Sequence, residues 1–161
     1  MERDYVCKNL SIGFEGVLCL DEFYRFAKGW FSKYKYDFGE IEYREIQRAK
    51  GSKDVHIKWY AEKKYSDYIK YVVEIDLVME DVREVKAKKK STCECRMKLK
   101  INGYLLKDYE EKWIMSPLFK FLREVYDKFT GSELEKCGAE LNEEAKKFTN
   151  ELRAYLNMRR I

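Results

Sequence analysis

Proline occurs once, glycine eight times and histidine once in 161 residues. So little proline and glycine leaves no room for a flexible linker or a low-complexity tail. The lone histidine, His56, has no second imidazole and no G-x-S-x-G elbow beside it, so nothing supports a nucleophilic triad. P-loop, G-x-G-x-x-G and H-E-x-x-H signatures are also missing. No apolar run approaches the roughly 18 residues of a membrane span. The opening MERDYVCKNL mixes acids and bases where a secretory signal would carry a basic end and then an apolar block. These absences predict a cytoplasmic protein. Net charge is also small, +4 from 33 basic and 29 acidic residues, which permits a local basic patch and nothing stronger.

What is present suits an ordinary fold. Apolar residues make up 45% and charged residues 39%, enough for both a core and a solvated surface. The five cysteines are odd in number and irregular in spacing, which predicts reduced thiols. The length predicts one domain over 1–161.

The chain begins with period-two alternation in CKNLSIGFEGVL, a strand with Leu10, Ile12, Phe14, Gly16 and Leu18 on one face. Phe23, Phe26, Ala27, Trp30, Phe31 and Tyr34 then recur at helical spacing, with Asp21 as the expected N-cap and Gly39 as the end of the region. From Glu40 to Leu106 almost everything alternates. EIEYREIQR changes phase between Tyr43 and Ile46, which predicts a bulge near Arg44 or Glu45. Val55, Ile57, Trp59 and Ala61 share a face, as do Ile69, Tyr71, Val73, Ile75, Leu77 and Met79. DVREVKAKKK reads as a separate basic strand near a sheet edge, where lysines discourage unwanted pairing. SPLFKFLREVYDKFTG predicts a helix opened by Ser116 and Pro117 and closed by Gly131. Ser132 and Glu135 predict a capping box for a last, long helix with its stripe at Leu134, Cys137, Leu141, Ala145, Phe148, Leu152 and Tyr155. The fold class is therefore α+β: a curved antiparallel sheet of about six strands, ordered β-α-β-meander-α-α, packed on a long C-terminal helix.

The stretch STCECRMKLKINGYLL holds two thiols, a basic comb and an Asn-Gly pair. Asn-Gly suits a hairpin turn, yet the alternation runs straight through it. One long strand is expected, with Cys93, Cys95, Met97, Leu99, Ile101, Gly103 and Leu105 inward and Arg96, Lys98 and Lys100 outward. Gly103 marks a kink or the close approach of a helix. Cys93 and Cys95 then read as small core side chains rather than metal ligands. No metal site, no cofactor and no catalytic residue is predicted.

Two surfaces remain as candidates. Phe14, Trp59, Tyr71, Met97 and Phe148 could line an apolar cavity between sheet and last helix. WYAEKKYSDYIKY and FSKYKYDF interleave aromatics with lysine, a pattern on which RNA bases stack while lysines hold phosphates. Lys86, Lys88 and Lys89 with Arg96, Lys98 and Lys100 would extend that surface.

The element order resembles the helix-grip fold of the START and Bet v 1-like superfamily. The resemblance implies a cavity for a lipid, sterol or other apolar ligand. It departs in having one longer helix after the first strand and an extra helix over Leu118 to Phe129. KDYEEKWIMSPLFKFLREVYDKF is also similar to stretches in uncharacterised small archaeal proteins, which implies an archaeal, cytosolic origin. The expectation is a non-enzymatic binding module for an apolar small molecule or a protein partner, or else an RNA- or ribosome-associated protein. Oligomeric state stays open.

Overall fold

The computed structural model describes residues 2–85, 92–107 and 131–158. The expected helix over Leu118 to Phe129, its Ser116–Pro117 start, and Lys86, Lys88 and Lys89 lie outside the described residues.

Five strands form one antiparallel sheet: β1 (Glu2–Cys19), β2 (Asp37–Gln47), β3 (Lys53–Lys64), β4 (Ile69–Glu84) and β5 (Thr92–Lys107). Their spatial order is β1-β5-β4-β3-β2. Helix α1 (Leu20–Lys33) and the long helix α2 (Gly131–Asn157) lie on one face of the sheet, giving a helix-grip-like arrangement. We call that face inner and the other outer.

The inner face follows from alternation. Val55, Ile57, Trp59 and Ala61 are buried together, and so are Ile69 to Met79 at every second position. On β5 the inward set from Cys93 to Leu105 is buried as expected, and the strand runs through Asn102-Gly103 without a turn. A Cβ at Gly103 would meet Cys7 Sγ at 2.9 Å, with Leu141 and Ala145 of α2 at 3.7 and 3.9 Å. Glycine therefore lets β1 and the long helix close on β5. From α1 come Phe23, Ala27, Trp30 and Phe31; from α2 come Cys137, Leu141, Ala145, Phe148, Thr149, Leu152 and Leu156.

Several boundaries differ from expectation. Among the described residues the sheet has five strands where about six were expected, because Asp81–Glu84 continues β4 instead of starting a new strand. Asp81 adopts φ 53° and the ladder shifts register between Glu80 and Arg83. A bulge had looked like a strand end. Asp81–Glu84 is thus not an edge strand; among the described residues the edges are β1 and β2. The other bulge sits at Ile41, between Glu40 and Glu42, rather than near Arg44.

Helix α1 starts at Leu20 with Cys19 as its N-cap, so Asp21 lies in the first turn beside Glu22, where carboxylates face the positive helix end. The helix stops at Lys33 after 14 residues, about four turns, and Gly39, expected to end the region, sits inside β2 opposite Tyr60. Its end is set by Lys35 at φ 69°. Lys35 N–H donates to Ser32 O at 3.1 Å and Tyr36 N–H to Phe31 O at 2.8 Å. The Phe31 and Tyr36 rings meet at 5.5 Å, completing a Schellman motif with lysine where glycine is usual. Lys35→Gly is expected to raise the unfolding free energy by up to about 1 kcal/mol, read from urea titration, because a left-handed L-residue costs about 1–2 kcal/mol and glycine returns part of that as chain entropy. At the other helix, α2 already includes Gly131 and Ser132, so Ser132 stands inside its first turn rather than capping it.

Candidate nucleic-acid interface

Directly opposed residues in an antiparallel ladder share a face, so the pairing register assembles the outer surface row by row. One row reads Gly13, Lys98, Val78, His56, Arg44 from β1 across to β2. The next reads Ser11, Lys100, Asp76, Lys58, Glu42. Each row spans roughly 19 Å, four inter-strand gaps of about 4.8 Å.

Along these rows lies an open groove of about 510 Å³, lined by Glu42, Arg44, His56, Ile57, Lys58, Asp76, Leu77, Val78, Lys98 and Lys100. A second hollow of about 450 Å³ shares Val78 and Lys98 and continues past Gly13, Glu15, Glu80 and Arg96. A Cβ at Gly13 would touch nothing within 4 Å, so the floor beside Lys98 is open.

Four full cations and His56 line the first groove against two carboxylates. Only Lys58 is engaged, at 3.7 Å from Glu42. Arg96, in the second hollow, reaches Glu80 at 3.9 Å. Arg44, Lys98 and Lys100 have no ion-pair partner among the described residues and are exposed. The field in the groove is therefore positive, and its donors are free to bind an anion.

Further along the same face Tyr104 is buried with Val72 and Leu106, and its hydroxyl donates to Glu74 at 2.9 Å. Tyr5 packs on Tyr104 at 5.2 Å between ring centroids and stays 41% exposed. Lys8 Nζ stands 4.7 Å above the Tyr5 ring. Tyr60 flanks the cluster, its phenol pushed up to about 12 by burial and then by Glu62.

The outward comb Arg96, Lys98 and Lys100 is where the alternation puts it. The interleaved aromatics are mostly not. Trp59, Tyr68, Tyr71 and Tyr36 are buried, and Tyr65, 41% exposed, donates to Glu133 at 3.0 Å. Lysine and aromatic in those stretches alternate between outside and inside, so they do not form one platform. The apolar candidates Phe14, Trp59, Tyr71, Met97 and Phe148 are all brought together in the inner core, none more than 4% exposed. The Cys93 and Cys95 thiols share that inner face and a hydrogen bond that holds Cys93 low and pushes Cys95 up.

Two groups escaped the sequence analysis. Arg44, His56 and Lys58 complete the basic groove across the sheet; their outward phase was legible, but their register with Lys98 was not. The second group is a polar network at the seam of sheet and helices. Lys63 Nζ sits 2.9 and 3.0 Å from the two Glu144 oxygens, and Tyr36 donates to the same carboxylate at 2.5 Å. The Lys63 ammonium also lies 4.6 Å over the Tyr36 ring, and Tyr71 donates to Glu140 at 3.0 Å. This network joins β3, β4 and the loop after α1 to α2. Its groups are mutually satisfied, so it reads as a structural clamp.

No protein family model, no curated protein and no solved structure matches this chain.

Proposed function

We propose that this protein is a binding module that holds a strand of RNA across the outer face of its sheet. The observation that carries the proposal is a set of cations without an ion-pair partner among the described residues: Arg44, Lys98 and Lys100 line one open groove with Lys58 and His56. Phosphates would occupy the groove. Tyr5, exposed on the same face, would take a stacked base. It lies opposite Tyr104, about 14 Å along β5 from Lys100 at roughly 3.4 Å per residue.

The test is fluorescence anisotropy with labelled oligouridine over a salt series. With about four phosphates neutralised, log affinity falls against log salt with a slope near −3. The Lys98→Glu/Lys100→Glu variant, folded by circular dichroism, loses affinity about tenfold or more and flattens that slope. Salt-independent binding, or unchanged affinity in the variant, would falsify the reading.

A second reading has its own support. Trp30 Nε1 and Trp59 Nε1 are buried donors without a hydrogen-bond partner among the described residues, set in the aromatic core between α1 and the sheet. An apolar ligand with one acceptor would satisfy such a donor, as the START and Bet v 1-like resemblance implies. Native mass spectrometry of the protein from its own cytoplasm tests this by its mass, and an apo mass alone counts against it.

A further inference from the structure

Among the described residues β2 is an edge strand. Its free side carries no backbone pairing there, and it contains neither lysine nor proline. The other edge, β1, is interrupted by register shifts on both sides of Cys7. By contrast β2 pairs one-to-one from Glu42 to Gln47, past its single bulge. Exposed apolar side chains gather on it: Ile41 at 62%, Tyr43 at 50% and Ile46 at 38%.

We propose that β2 is the homodimer interface of this protein, pairing antiparallel with β2 of a second copy to make one continuous ten-stranded sheet. The occupant is argued from charge. A two-fold axis normal to the sheet keeps inner faces together, so only residues of the same face can be opposed. Centred on Tyr43, this register sets Glu42 of each copy opposite Arg44 of the other, and the two Tyr43 rings side by side. Shifting the centre to Glu42, Arg44 or Glu45 opposes two like charges at the axis. Arg44 has no ion-pair partner among the described residues, and Glu42 reaches Lys58 only at 3.7 Å. Glu45, by contrast, is already held by Lys53 at 2.9 Å and by the Tyr43 hydroxyl at 2.7 Å. The residues left unsatisfied on this edge are the ones that a second copy completes. The outer faces of the two copies would then be contiguous, with Arg44 committed to the interface and Lys58, Lys98 and Lys100 of each copy left to line the groove.

The experiment is sedimentation equilibrium of the full chain without nucleic acid, so that its result is independent of RNA binding. The wild type is expected to dimerise below about 100 µM. Glu42→Arg and Arg44→Glu each oppose like charges twice and weaken the dimer about tenfold. The double variant Glu42→Arg/Arg44→Glu restores it, as does an equal mixture of the two single variants. Circular dichroism of each variant separates lost pairing from lost folding. A monomeric wild type at that concentration, or single variants that dimerise as well as wild type, overturns the proposal. So does a mixture no tighter than its components.

Discussion

Phe148→Ala lowers the unfolding free energy by about 3–5 kcal/mol. Phe148 is fully buried at the middle of α2. Its ring meets Trp30 at 4.9 Å and Phe31 at 4.6 Å, so it joins α2 to α1 as well as to the core. Phe31 in turn stacks on Phe38 of β2 at 5.4 Å, and Phe38 meets Trp59 at 5.3 Å. Truncation removes the transfer energy of the ring and leaves a cavity whose walls are rigid aromatics. Such walls collapse poorly, which places the cost high in the range. Urea titration reads the loss as a lower midpoint at nearly constant slope. Phe148→Leu should recover more than half of it. If Phe148→Ala costs under about 1 kcal/mol, the core around this ring is not packed as described.

The Lys63–Glu144 clamp carries the second large effect. The two side chains are 18% and 14% exposed, so removing either leaves a charge poorly solvated. Lys63→Met and Glu144→Leu are each expected to cost about 3 kcal/mol, the lower end for broken buried pairs given their partial exposure. The double variant should cost distinctly less than the sum, since it strands no charge. Additive losses would show that the pair contributes nothing as a pair. The same clamp predicts an alkaline limit. Burial, followed by the Glu144 hydrogen bond and charge, pushes the Tyr36 phenol well above its ordinary value of 10.0. The folded protein therefore keeps the Tyr36 proton after the unfolded chain has released it. This stabilisation is fully present below about pH 10 and fades as pH rises beyond it. Tyr36→Phe should show a shallower fall in stability between about pH 9 and 11 than the wild type.

Legibility divided along one physical line. Period-two alternation is local, so the faces of β3, β4 and β5 were readable from residues such as Val55, Ile75 and Cys93. Even Gly103, with no side chain to count, was readable as a place of close approach. The bulges were not readable in position. Asp81 and Ile41 break the period, but a break in period looks the same whether the strand bends, ends or restarts. The Schellman stop at Lys35 was hidden for a similar reason, since lysine there carries no local signal of a left-handed backbone.

By itself, then, the sequence determined that Arg96, Lys98 and Lys100 face outward, that Cys93 and Cys95 face inward, and that α2 lays an apolar stripe on the sheet. Those outcomes depend only on helix and strand periods. Tertiary structure decided which strands are neighbours, and so which charges meet. It set His56 and Arg44 in the same row as Lys98, closed Lys63 on Glu144 across 81 residues, and put β2 at an edge of the described sheet. Register across a sheet is fixed by packing over the whole inner face, and no short stretch of chain carries that information.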